Sequence, residues 1–185
     1  MSTSLVLKII ADEIAACKIC RDAGWGRQVF GEGNPNATVM FVGEAPGRQE
    51  ALSGRPFIGP SGKLLRKMIP QIGLTEEEVY ITSPVKYFPN HRTPTAGDIL
   101  HSKTHFAKQV VAINPKIIVL LGRTAAEALL PQKVLVMKDH GKMFEETDRK
   151  YFLTIHPAAV VRFRKNLPIF VEDFHRLKNI IADLG

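Results

Sequence analysis

Four short runs constrain the fold of this chain more than any other feature. They are VMFV at 39–42, VYIT at 79–82, IIVLL at 117–121 and YFLTI at 151–155. Each is bounded by breakers, and helical patterns lie between them. Three of the four are continuous apolar runs rather than alternating ones. That is the pattern of a parallel sheet covered on both faces by helices. Residues 61–72 carry Leu64, Leu65, Met68, Ile69 and Ile72 at helical spacing, up to Gly73. Residues 98–114 turn Ile99, Phe106, Val110 and Ile113 to one face before Pro115. Helices are also expected over 3–20, 122–130 and 170–184, and Thr75 with three glutamates behind it reads as a helix start. The stretches 21–36, 87–96 and 131–150 read as loops or irregular chain. A length of 185 residues suits one domain, 1–185, and is short for two.

Ligands of parallel sheets bind at the carboxyl ends of the strands. The residues that follow each strand are therefore the first candidates for chemistry. After the first comes GEAPG, where Gly43 and Gly47 permit a tight turn around Glu44. Glu44 reads either as a turn-capping acid or as a carboxylate that orients or deprotonates a water. Phe57, in GRPFIG, reads either as core or as a stacking platform for a flat ligand. His156 follows the fourth strand and is either a satisfied turn histidine or a hydrogen-bond donor to developing negative charge. Lys63, Arg66 and Lys67 form one basic cluster, and Arg162, Arg164 and Lys165 another. With a net charge of +7, these favour a polyanionic partner, nucleic acid first. GRTAA lacks both G-x-x-x-x-G-K-[ST] and G-x-G-x-x-G, which argues against a nucleotide-binding enzyme. No apolar run approaches the ~20 residues of a membrane span, and the N-terminus has no signal-peptide order. A soluble, cytoplasmic and monomeric protein is expected. The two cysteines, Cys17 and Cys20 in CKIC, are half of a four-ligand metal site or ordinary thiols.

Taken together, GEAPG…GRPFIGPSGKLL, YITSPVK, RTP, INPKIIVLLGRTAAEALL and TIHPAAVVR resemble, in that order, the motif set of the family 4 uracil-DNA glycosylases. CKIC with the downstream FGEGNPNA is similar to that family's N-terminus, and the resemblance covers about residues 14–175. It implies a three-layer α/β/α sandwich with a central four-stranded parallel sheet. It implies a base flipped out of the duplex, because the glycosidic bond is unreachable inside the stack. Residue by residue, it implies Glu44 as the water-orienting acid, Phe57 as the stacking ring and His156 as the group that stabilises the departing base. Gly43, Ala45 and Ser83 would border the base. Pro157, Ala158 and the residues through Arg162 would form a wedge loop in the DNA, with Lys63, Arg66 and Lys86 as further DNA contacts.

Two departures from the family pattern stand out. The family holds an iron–sulfur cluster on four cysteines, but Tyr87 and Ser102 occupy the third and fourth positions here. A four-cysteine [4Fe–4S] cluster is therefore not expected. His91, His101 and His105 lie close in sequence to the lost positions. A Cys2His2 zinc site on Cys17, Cys20 and two of these histidines is one expectation; an unmetallated site packed around Tyr87 is the other. The second departure is Ser83, which stands where the family has an Asn that reads the uracil edge. An amide both donates and accepts, whereas a hydroxyl is shorter and rotates. The RQEALS run at 48–53 also departs from an acid-rich family segment. The function expected is a monofunctional DNA glycosylase that needs no cofactor for its chemistry and leaves an abasic site. Its base is uracil or another damaged or modified base, hypoxanthine and xanthine included. The alternatives are a glycosylase for a hypermodified pyrimidine of phage DNA, in a defence role, and a catalytically decayed binder of modified DNA.

Overall fold

A computed structural model describes residues 1–91, 93–146 and 149–183. Arg92 of the RTP motif, and Leu184, the expected end of the last helix, lie outside the described residues. In chain order the elements are α1 (Thr3–Ala16), α2 (Lys18–Asp22), β1 (Gly24–Trp25), β2 (Glu32–Gly33), β3 (Val39–Val42), α3 (Arg48–Ser53) and α4 (Pro60–Met68). There follow β4 (Val79–Thr82), β5 (Phe88–Pro89), α5 (Ala96–Ile113), β6 (Ile117–Leu121), α6 (Arg123–Leu129) and α7 (Val136–Asp139). The last are β7 (Met143–Glu146), β8 (Arg149–Thr154), α8 (Pro157–Arg162) and α9 (Leu167–Ala182).

The four runs of the sequence form the centre of one sheet, in the order β4–β3–β6–β8, with every neighbouring pair parallel. Two antiparallel edge strands extend it, β2 beside β4 and β7 beside β8, so the sheet has six strands. Both edges escape the apolar pattern for one reason. An antiparallel edge faces water and carries polar residues, here Glu145, Glu146, Arg149 and Lys150 on the β7–β8 hairpin. The stretch 131–150, expected to be irregular, therefore holds α7, β7 and the start of β8.

Alternate residues of each central strand fill opposite faces. Phe41, Ile81, Val119 and Phe152 pack against Leu65 of α4 and Phe170 and Phe174 of α9. Met40, Tyr80, Ile118 and Leu153 pack against Phe106 and Val110 of α5 and Ala125 and Ala126 of α6. Phe174 stacks on Phe41 at 6.1 Å between centroids and meets Phe170 at 4.8 Å. Each fully buried side chain of this size contributes about 1.5–3 kcal/mol. A third cluster joins Ile10 and Ile14 of α1 to Cys20, Val85 and Tyr87. No helix among the described residues is long and apolar enough to cross a membrane.

Two local readings need correction, and a third segment gains an element. The helix expected over 3–20 breaks at Cys17, whose ψ of 115° is extended. Thr75 and Glu78 make a capping pair, with the Glu78 carboxylate accepting from the Thr75 N–H and hydroxyl, but the turn ends there instead of becoming a helix. RQEALS, assigned no element from the sequence, forms α3, closed at Gly54 with φ 80°. Pro70 brings another local change: lacking an N–H, it ends α4, and the chain tightens into a 3-10 turn over Ile69–Ile72.

Candidate active site

The site begins where strand pairing runs out. The Gly43 N–H donates to the Thr82 carbonyl at 2.9 Å, one residue past β3. The Gly122 N–H does the same to Thr154 at 2.9 Å, past β6. Glycine at these two places lets large rings close over the strand ends. A Cβ on Gly43 would lie 2.4 Å from the Phe57 ring. One on Gly122, whose φ is 87°, would lie 3.0 Å from the His156 Cβ. The Phe57 and His156 rings face each other at 6.0 Å with a 32° tilt.

Phe57 has a φ of 52°, in the left-handed region that a bulky residue rarely adopts. Such a conformation costs about 1–3 kcal/mol and persists only where surrounding contacts hold it. Three contacts do so here. The Arg66 guanidinium donates to the carbonyls of Phe57 and Pro56, both at 3.0 Å. Glu50, buried on α3, accepts the N–H groups of Ile58 and Gly59 on one carboxylate oxygen, at 2.9 and 2.8 Å. Gly62 lets α4 pass the loop, since a Cβ there would stand 1.9 Å from the Phe57 carbonyl oxygen.

His156 is the N-cap of α8, and its Nδ1 accepts the Ala158 N–H at 3.1 Å. The neutral ring therefore carries its proton on Nε2, the nitrogen on the Gly43 side. Burial lowers the His156 pKa, and the nearby Glu44 carboxylate offsets this only in part, so the neutral donor form is favoured. Thr154, two residues earlier, donates to the buried Asp173 carboxylate at 2.7 Å, which ties the end of β8 to α9. Glu44 accepts the Thr124 hydroxyl on Oε2 at 2.7 Å, which leaves Oε1 for another partner. Ser83, buried at the end of β4, donates its hydroxyl to the Val85 carbonyl at 2.9 Å. Its lone pairs are what it offers the cavity. Glu44, Ala45, Glu50, Phe57, Ser83, His156 and Ala158 all line one cavity of about 200 Å³. That is smaller than the ~300–1,000 Å³ of a drug-sized ligand site.

The family profile of the Uracil DNA glycosylase superfamily matches residues 30–184. The chain belongs to the uracil-DNA glycosylase superfamily. Membership makes it a DNA N-glycosylase. It is 37% identical to the Type-4 uracil-DNA glycosylase of Saccharolobus solfataricus, over 95% of this chain and 87% of the relative. It is 38% identical to that of Sulfurisphaera tokodaii, over 94% of this chain and 84% of the relative. The Thermotoga maritima enzyme of the same name is 34% identical over 97% of both chains.

Several charges of this glycosylase stand elsewhere than the sequence suggests. Lys86 is wholly buried and cannot face a phosphate. Its ammonium donates to the Thr82 hydroxyl at 2.8 Å, the Ser83 carbonyl at 2.6 Å and the Gln109 side-chain oxygen. Burial pushes its pKa down to about 7. Arg66 is mostly covered and is ion-paired with Glu32 and Glu76 besides its two loop carbonyls, so it clamps Phe57 instead of reaching for DNA. Pro157 is buried at the first position of α8, and the expected wedge loop is that helix. What the helix exposes beside the cavity is Ala158, Val161 and Arg162, with Phe163 after it. Lys63 and Lys67 of α4 and Arg164 border one groove with Val160 and Val161. The two basic clusters therefore meet across α4 and α8.

Glu50, Thr124 and Asp173 were not among the sequence candidates. Glu50 had one legible cue, an acid one helical turn from a glycine loop rich in free N–H groups. Thr124 and Asp173 had none, because their partners are 80 and 19 residues away.

The cysteine pair packs against the segment that begins at Ser83. Ser83 lines the cavity, while Val85 and Tyr87 pack on Cys20. Cys17, Cys20, His101 and His105 place one ligand atom each within 4.8 Å of all the others. His91 is not among them: its ring pairs with Asp98 at 3.0 Å. Tyr87 is also engaged there, donating to Asp98 at 2.6 Å. Burial alone would raise the Asp98 carboxyl, but hydrogen bonds from Tyr87, Thr95 and His91 outweigh it and hold the pKa at about 2.

Proposed function

We propose that this glycosylase hydrolyses the N-glycosidic bond of a single flipped pyrimidine, uracil or a more heavily substituted one, and leaves an abasic site. The reading rests on one observation: Glu44, Phe57, Ser83 and His156 border one cavity at the carboxyl ends of the parallel strands. Phe57 stacks on the flipped base, a contact worth about 1–3 kcal/mol. Glu44 Oε1 holds a water against the sugar C1′, with Oε2 pinned by Thr124. As the bond to the base breaks, the water oxygen bonds to C1′ and its proton passes to Glu44. The electron pair leaves with the base. His156 Nε2–H donates to the oxygen on which that charge collects, without itself becoming an imidazolium. No amine is needed as a nucleophile, and Lys86, the one buried amine among the described residues, is engaged behind Ser83.

Ser83 supports a base range wider than uracil. With its O–H spent on Val85, it presents acceptor lone pairs alone, so it takes a donor from any base edge and rejects few. A decayed binder fits less well, since Glu44 and His156 keep their supporting hydrogen bonds. The test uses duplexes carrying uracil, hypoxanthine or 5-substituted pyrimidines, cleaved by alkali after incubation. An abasic product is expected from at least one pyrimidine, with Glu44→Ala and His156→Ala each at least ~100-fold slower. No product from any duplex would overturn the activity. Unchanged rates in the two variants would overturn the assigned roles.

A further inference from the structure

The family-type cluster does not fit this chain. Four thiolates would be needed, and only Cys17 and Cys20 are present. Tyr87, at the third position, gives its hydroxyl to Asp98. Two imidazoles come instead from α5, the helix that also carries Ser102. His101 and His105 lie four residues apart on α5, hence on one helix face. Cys17 sits at the break between α1 and α2, and Cys20 one turn into α2. The extended backbone at Cys17 turns both sulfurs toward that face of α5.

We propose that Cys17, Cys20, His101 and His105 bind one zinc ion, which stands in for the four-cysteine cluster as the brace of this part of the molecule. The distances favour a single ion. His101 Nε2 lies 3.3 Å from the Cys17 sulfur and 3.4 Å from the Cys20 sulfur. Zinc–sulfur bonds of ~2.3 Å and zinc–nitrogen bonds of ~2.0–2.1 Å, set tetrahedrally, place sulfur and nitrogen about 3.5 Å apart. A two-iron centre of mixed ligation puts its cysteines on one iron and its histidines on the other. Sulfur and imidazole would then be separated by the width of the cluster and could not stand 3.3 Å apart. A disulfide is not the alternative in place, since both cysteines are free. The Nδ1 atom of His105 is buried and has no hydrogen-bond partner among the described residues. A polar atom in that state calls for a ligand or an ion. Two soft thiolates with two imidazoles in a tetrahedral set select zinc over the harder divalent metals.

None of the four ligand residues lines the cavity. The ion ties the α1–α2 junction to α5, and Cys20 packs on Val85 and Tyr87, two and four residues after Ser83. Its effect on the reaction is therefore indirect, through the position of Ser83.

The experiment is elemental analysis of the purified full-length protein, followed by cobalt titration of the metal-stripped protein. One zinc per chain is expected, with neither iron nor acid-labile sulfide. Cobalt is expected to produce the absorption of a tetrahedral thiolate site, saturating at one equivalent. His101→Ala and His105→Ala should each lower zinc content at least tenfold, while His91→Ala keeps it. Iron with sulfide, cobalt binding without a thiolate band, or full zinc retention in both His101→Ala and His105→Ala would overturn the proposal. Should either variant fail to fold, the cobalt endpoint of the unaltered chain decides alone. Metal content is read without any substrate, so it stands or falls apart from the glycosylase reading.

Discussion

Ser83 shows how much one side chain can decide in a pocket this small. Its hydroxyl proton is committed to Val85, so in the proposed reaction it would meet a base edge with lone pairs only. An Asn there restores a group that both donates and accepts, and correct pairing of that kind discriminates by about 1–3 kcal/mol. Ser83→Asn is accordingly expected to raise the preference for uracil over other bases by roughly tenfold or more. Competition between a uracil duplex and a 5-substituted duplex measures it; an unchanged ratio would remove Ser83 from the specificity argument. That Glu44, Phe57 and His156 come together at one end of the sheet was legible in the sequence because each follows a strand or a glycine turn, and strand ends are where parallel sheets place ligands; Ser83 was placed beside them by the family resemblance. Lys86 and Arg66 were misread for the opposite reason. A basic residue type says nothing of the backbone carbonyls that surround it, and here carbonyls capture both.

At the scale of elements, the loop between β3 and α4 owes its shape to α3. That six-residue helix is too short to hold by itself, since isolated helices under ~12–15 residues are marginal. It survives through Glu50, whose carboxylate ties it to the N–H groups of Ile58 and Gly59, directly after Phe57. Glu50→Ala would strand two N–H donors, one of them buried, at a cost of about 2–4 kcal/mol. Glu50→Gln keeps an acceptor oxygen and should cost about half as much or less. Denaturant unfolding of both variants checks the difference; equal losses would mean that the residue acts through bulk alone. The helix was missed because its only strong marker, Gly54 at the C-cap, is one glycine among several in the stretch. The β7 edge was missed because solvent-facing strands do not show continuous apolar runs.

For the whole molecule, acid should act in two stages. His156 has a lowered pKa in the folded state, so above its ordinary value of about 6.5 it is neutral folded or unfolded and its contribution is fully present. As pH falls through about 6.5, the unfolded chain takes up a proton that the folded chain resists, and stability declines. Asp98, held at about 2, behaves as a paired carboxylate: its contribution is present above about 3.9 and is lost as pH falls toward 2. Urea midpoints should fall between pH 7 and 5, where His105, also lowered by burial, adds to His156, and again below 4; Lys86, lowered to about 7, makes the fall begin above that window. His156→Asn should flatten the first step, and a variant that keeps it undiminished would contradict the assignment. The order of apolar runs and breakers by itself determined the parallel core, the two covered faces and the end of the sheet where the cavity lies, because burial on both sides leaves a local signature in every strand. Only the tertiary structure decided which charges point outward, which acid shapes the cavity mouth and which histidines join the cysteines. Those pairings link residues up to 88 positions apart, Cys17 to His105, and no local pattern encodes a partner at that distance.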